Sequence, residues 1–193
     1  MLRLTAGVFK GRAIDTPKTD RVRPTQAKLR QALFNSLQSV IPDSNLLDLF
    51  AGSGALGFEA LSRGAASVVF VEDNRQGLSL IQRNAASLGV EERVHVIGES
   101  VARVSGRLKA KGLGPFDLVL ADPPYGGGWE LRLLNELPWP ELLLPGGTFC
   151  LEWGIQKSVI TELPERTAFL VKTREKIYGD SVLTTYEARH DES

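Results

Sequence analysis

The sequence predicts an α/β fold: a seven-stranded, mostly parallel sheet with helices on both faces and an antiparallel hairpin at its C-terminal end. Three observations predict it. From Leu46 to Trp153, short apolar runs alternate with longer segments of helical periodicity. The first run leads into a glycine-rich turn, DLFAGSGALG at residues 48–57, with a helical pattern after it. The last two runs, AFLVKTREKIY and SVLTTYEAR, are parted only by Gly179 and Asp180. That link is too short for a crossover helix, so the two strands must pair antiparallel.

Each element can be justified in chain order. LRLTAGVFKGRAID alternates around Gly7 and Gly11 and reads as a small β-hairpin. It forms a basic extension over residues 1–24, with the main domain over 25–193. TPKTDRVRPT is a polar connector. QAKLRQALFNSLQSVI places Leu29, Ala32, Leu33, Leu37 and Val40 at helical spacing, and Pro42 is expected to end that helix. NLLDLF is a strand, GALGFEALSRGA a helix, SVVFVE a second strand, and NRQGLSLIQRNAASLG a helix closing at Gly89. VHVIGE is a third strand and SVARVSGRLKAKGLG a helix with a loop. FDLVLADPPY is a fourth strand running into a Pro-Pro loop. ELRLLNELPWPELL is a helix interrupted near Pro138 and Pro140, and GGTFCLEW is the fifth strand.

Composition bounds the function. At 193 residues, with 42% hydrophobic and 24% charged residues, the chain buries one sizeable core. No apolar run approaches the ~20 residues of a membrane helix, and the N-terminus lacks a signal-type apolar region. The single cysteine, Cys150, excludes an internal disulfide and a cysteine zinc site, and it sits in a buried-strand pattern. His95 and His190 have no partner pattern, and no metal is expected. These features place the protein in the cytoplasm, without a membrane partner. Net charge is zero but uneven. Residues 1–30 hold eight basic and two acidic side chains out of 23 of each, leaving 15 and 21 for the rest. A basic arm on an acidic body suits a polyanion docking at one end.

Gly52, Gly54 and Gly57 spell the G-x-G-x-x-G of a dinucleotide turn. In an open α/β sheet, ligands bind beyond the carboxyl ends of the strands. Charge decides which ligand. A dinucleotide would set its pyrophosphate over this turn, and Asp48 just before it would repel phosphate. S-Adenosyl-L-methionine carries a sulfonium and an ammonium group and no phosphate. Asp48 therefore favours the methyl donor, and the sheet also lacks the two mononucleotide halves of the usual dinucleotide plan. Glu72 ends the second strand, 20 residues after Gly52, where a carboxylate accepts from ribose hydroxyls. Asp73 and Asn74 adjoin it. Glu99, with Ser100 beside it, ends the third strand and is placed to accept from an adenine amine.

The fourth strand carries the chemistry. Asp122 follows an apolar run, Pro123 and Pro124 remove two backbone donors, and Tyr125 adds a flat ring. A site made of carboxylate and carbonyl oxygens accepts hydrogen bonds, which suits an exocyclic amine on a nucleobase. Gly126, Gly127 and Gly128 then form a segment able to open for a flipped base. Trp129 opens a helix, where an aromatic is expected in the core.

Together these residues resemble the class I, Rossmann-like S-adenosylmethionine-dependent methyltransferases. More narrowly, GVFKGR, RPT, ALFNSL, LLDLFAGSGALGFEALSRGA, VEDN, FDLVLADPPY and YGDSVLTTYE resemble the RsmD family, bacterial 16S rRNA (guanine-N2)-methyltransferases. The resemblance runs from end to end. It implies methyl transfer from S-adenosyl-L-methionine to the N2 amine of a guanine in 16S rRNA, with S-adenosyl-L-homocysteine as product. The substrate would be an assembling 30S particle and the enzyme a monomer. By position, Asp48, Phe50, Ala51, Gly52, Ser53 and Gly54 would hold the methionine end, Glu72 the ribose and Glu99 the adenine edge. Asp122 to Tyr125 would hold the base, and Arg23 and Thr25 would lie near the donor and the entrance. With an RNA substrate, Lys10, Arg12, Arg21 and Arg23 become phosphate contacts. The chain departs from the family after RPT, where it reads Gln26, Ala27, Lys28, Leu29, Arg30, and at Glu99, where Asp is usual. DPPY suits any exocyclic amine, so a DNA or other RNA adenine-N6 methyltransferase is the alternative.

Overall fold

The computed structural model describes residues 1–17, 24–155 and 162–189. Strands β1 (Leu2–Arg3) and β2 (Ala13–Ile14) pair antiparallel as the expected hairpin. The main sheet holds β3 (Asn45–Leu49), β4 (Ser67–Glu72), β5 (Val94–Gly98), β6 (Phe116–Ala121), β7 (Leu143–Gly154), β8 (Leu170–Tyr178) and β9 (Ser181–Ala188). Its order is β5-β4-β3-β6-β7-β9-β8. Strands β3 to β7 run parallel, and β9 enters antiparallel between β7 and β8. The chain builds outward from β3 to β5, then returns to place β6 on the other side of β3. Beyond the carboxyl ends of β3 and β6 lies the switch point where such sheets take ligands.

Alternation along each strand sends side chains to two cores. Leu46, Val68, Phe70, Leu118 and Leu120 meet helices α1 (Pro24–Ser36), α2 (Ala55–Ser62) and α3 (Arg75–Leu88). Leu47, Leu49, Val69, Val71 and Val119 meet α4 (Val104–Ala110), α5 (Trp129–Glu136) and α6 (Trp139–Leu142). Leu2, Leu4 and Ile14 of the hairpin join the first core.

Three boundaries differ from expectation. Helix α1 begins at Pro24, so Pro24 and Thr25 belong to its first turn and not to the connector. Proline suits that position because its missing N–H would have no helical partner. The helix also ends at Ser36, well before Pro42. The Ser36 hydroxyl bonds back to the Leu33 carbonyl at 2.7 Å, and Val40 and Ile41 then turn onto the Leu37 carbonyl. A local side-chain bond thus competes with the helical ladder before proline can act. Strand β7 also starts earlier than GGTFCLEW suggests, at Leu143.

Candidate active site

The glycine turn is held open by the backbone, and its three glycines do different work. Gly52 and Gly54 lie at φ +56° and +82°, a region that L side chains avoid. A methyl group on Gly52 would meet nothing within 4 Å, so this side of the turn is an open cradle. A methyl on Gly57 would fall 2.2 Å from the Phe70 ring, so this glycine lets α2 lie close on β4. Phe50 also adopts positive φ, at 59°. Its ring meets Trp129 edge-on at 4.9 Å, and the Arg132 guanidinium covers the other ring at 4.1 Å. Trp129 is therefore half-buried at the rim, short of the full burial expected for it.

Asp48 is 1% exposed and accepts from the Gly57 N–H at 3.0 Å. Burial raises its carboxyl to about 8, with Asp122 and Glu72 adding to the rise and the Gly57 bond opposing it. The charge that distinguishes a sulfonium from a phosphate is thus suppressed in the protein alone, and a cationic ligand would restore it. Glu72 spans the turn: it accepts from Gly52 N–H at 2.7 Å and from Asn74 N–H at 2.8 Å. Asn74 in turn caps α3, its side chain accepting from the amides of Gln76 and Gly77. Such a cap contributes about 1 kcal/mol. Ala51 donates to the Val71 carbonyl, and Asp73 is exposed beside Glu72.

Glu99 is already paired within the protein. It accepts from Arg103 at 2.8 Å and from the Ser100 amide at 2.9 Å, with Arg107 at 3.8 Å. The Arg103 bond holds its carboxyl below the usual range.

Asp122 follows β6 and is exposed, while Pro123 is buried and Pro124 exposed. Protein packed around Asp122 raises its carboxyl. Among the described residues no side chain or amide donates to it. Tyr125 is 47% exposed, with its ring against the backbone of Gly154, where a methyl would lie 2.8 Å from Cε1.

The remaining predicted residues lie elsewhere. Thr25 is in the first turn of α1. Arg21 and Arg23 lie outside the described residues. Lys10 and Arg12 are exposed, and Arg12 donates to the Ser87 carbonyl at 2.6 Å. That is near the C-terminal end of α3, about 20 Å along the helix from its cap at Asn74.

Sequence reasoning missed three residues. Asn84 is buried on α3, accepts from the Asp15 amide, and donates to the carbonyls of Asp15 and Ser53. It ties the N-terminal hairpin to the glycine turn. The signal was a polar side chain at an apolar position between Ile81 and Leu88. Gly77 lies where Gly52 and Glu72 meet: a methyl there would fall 2.8 Å from Glu72 Cγ and 2.9 Å from the Gly52 carbonyl. A glycine inside a helical pattern flags such close approach. Glu152, near the end of β7, neighbours Asp122 and carried no motif.

A family model described as Conserved hypothetical protein 95 matches residues 2–187. The chain is similar to ribosomal RNA small subunit methyltransferase D of Escherichia coli (strain K12), 32% identical over 191 residues, covering 96% of this chain and 89% of that protein. The protein of the same name in Haemophilus influenzae is 33% identical over 180 residues, covering 90% and 92%. A solved structure, putative methyltransferase yhhF from Escherichia coli, matches at a TM-score of 0.83 and 32% identity over 97% of this chain and 98% of that one. With the fold, the glycine turn and the DPPY loop in place, the chain belongs to this family, the RsmD methyltransferases of class I.

Proposed function

We propose that the protein transfers a methyl group from S-adenosyl-L-methionine to the exocyclic N2 amine of a guanine in 16S rRNA, during maturation of the small ribosomal subunit. The observation that carries this reading is the end of β6. Asp122 has no donor among the described residues, two prolines leave carbonyl oxygens there, and the Tyr125 ring stands half-exposed beside them.

S-Adenosylmethionine supplies a methyl on a sulfonium and is released as S-adenosyl-L-homocysteine. The residues present fit it. Gly52 offers an open cradle, Glu72 stands at the strand end for ribose hydroxyls, and Asp48 is poised to ionise beside a cation. Glu99 and Ser100 are assigned to the adenine edge, and Thr25 to the entrance. Asp122 accepts one N–H of the amine and the Pro123 carbonyl the other. That grip turns the nitrogen lone pair toward the methyl. The N–C bond forms as the C–S bond breaks, and the nitrogen then sheds a proton with Asp122 in reach. Positioning of this kind supplies up to ~7–11 kcal/mol. Stacking on Tyr125 adds about 1–3 kcal/mol.

The relatives named for the small ribosomal subunit RNA support an rRNA substrate. Lys10, Arg12, Arg21 and Arg23 are assigned to its phosphates, with an assembling 30S particle as partner, a monomeric enzyme and a cytoplasmic setting. Among the described residues no helix is long and apolar enough to cross a membrane. The test is labelled S-adenosylmethionine offered with immature 30S particles, naked rRNA and duplex DNA. Label in the particle supports the reading; label in DNA alone overturns it.

A further inference from the structure

The methyl-accepting cleft holds a second carboxyl that the DPPY loop does not account for. Strands β6 and β7 run parallel with Ala121 level with Leu151, so the next residues, Asp122 and Glu152, stand side by side. Strand alternation sends Asp122 with Leu120, and Glu152 with Cys150, to the same face of the sheet. Gly154, two residues on and on that same face, seats the Tyr125 ring. A base stacked on Tyr125 with its amine at Asp122 therefore brings its neighbouring ring atom to Glu152. Ser181, opposite Gly154 on β9, lies close enough to Glu152 to ease its ionisation and leaves acceptor positions on the carboxyl open. Glu152 is only partly exposed, so an unmet acceptor there is costly.

We infer that Glu152 accepts the ring N1–H of the target guanine while Asp122 holds the N2 amine, which makes Glu152 a specificity-determining residue. The inference rests on the guanine-N2 reading above. Guanine presents two adjacent donors, the N2 amine and N1–H, and two adjacent carboxyls match them. Adenine and cytosine place a ring lone pair beside their amine, and a carboxylate at that spot repels it. Burial and the nearby Asp122 both raise the Glu152 carboxyl. A donated N–H offsets the cost of ionising Glu152, whereas a lone pair adds to it and favours the protonated acid, so the discrimination belongs to the ionised form and is read above pH 8.

The test uses 2-aminopurine, which keeps the 2-amine and replaces N1–H by a lone pair. Reconstituted 30S particles carrying guanine or 2-aminopurine at the target position are methylated by wild type and by Glu152→Gln. Wild type should lose about 100-fold or more in kcat/KM on 2-aminopurine, the scale for a site left with an unmatched polar group. Glu152→Gln can donate its amide N–H to the lone pair. It should slow on guanine and recover on 2-aminopurine, so the guanine preference shrinks at least tenfold. The missing 6-oxygen affects both enzymes alike and cancels in that ratio. Affinity for S-adenosylhomocysteine should stay within twofold. Equal preference ratios in the two enzymes would overturn the inference, as would wild type using both bases equally well, a readout that needs no variant to fold. If wild type leaves the guanine particle unmethylated, the guanine-N2 reading itself fails and the role of Glu152 falls with it.

Discussion

The two halves of the cleft are built in opposite ways. On the β3–β4 side, carboxyl groups are already bonded to the protein: Asp48 to the Gly57 amide, Glu72 to the amides of Gly52 and Asn74. On the β6–β7 side, Asp122 has no donor among the described residues, and Glu152 has one hydroxyl and a carboxyl neighbour. The first half is a finished cradle whose shape is fixed before any ligand arrives. The second carries acceptors with no hydrogen-bond donor among the described residues, which suits an N–H-bearing substrate. In the proposed reading, a donor common to many enzymes meets the pre-bonded half and the specific substrate meets the other.

The sharpest way to break this contrast is to remove Asp122. Asp122→Ala should lower turnover by about 10³-fold, in the range for a lost positioning or proton-accepting group. Affinity for S-adenosylhomocysteine, read by calorimetry, should stay the same. Equal loss of both would mean the two halves are one unit. Next in size is the anchor of the hairpin. Glu59 is fully buried, accepts from the amides of Thr5 and Ala6 and the Thr5 hydroxyl, and pairs with Arg63 at 2.8 Å. Glu59→Ala strands the Arg63 charge and three donors, and should cost about 3–5 kcal/mol in denaturant unfolding.

The glycines separate packing from binding. Gly57→Ala drives a methyl into Phe70 and should cost about 3 kcal/mol of stability. Gly52→Ala meets no atom and should cost only about 1–2 kcal/mol in backbone strain. It fills the open cradle, so its larger effect should be on S-adenosylhomocysteine affinity. Reversed rankings in paired unfolding and calorimetry runs would contradict the division.

These contrasts show where sequence was informative. The alternation of runs and the two-residue link before β9 are local, so strand order class and hairpin were legible. So was the edge on which Asp48, Glu72 and Asp122 lie, because each stands at or beside the end of a strand. The direction of each side chain was not. Asp48 reads as a ligand's counter-charge; that it is buried and bonded to Gly57 was not legible. Glu99 reads as an adenine contact; that it already accepts from Arg103, four residues on, was not legible. Glu152 became visible only through the β6–β7 register, which joins residues 30 apart.

Asp48 also predicts a pH effect. Its folded-state carboxyl lies at about 8, against an ordinary 3.8, so the folded protein binds a proton that the unfolded chain has lost. Stability should therefore fall as pH rises from about 4 to about 8 and level off above. Asp48→Asn keeps an acceptor for Gly57 and should flatten that fall in thermal melts. The smallest expected effect is at the hairpin: Lys10→Ala should reduce the salt slope of particle binding by about one. An unchanged slope would remove Lys10 from the interface.

The central claim is that the β6–β7 half of the site, with its open acceptors, selects an amine on rRNA. It is tested most directly by incubating the enzyme and labelled S-adenosylmethionine with 30S particles from a strain lacking this protein. The rRNA is then digested and its nucleosides separated by mass spectrometry. The account predicts label in N2-methylguanosine at a single site. Label in N6-methyladenosine, or none in the rRNA, would contradict it.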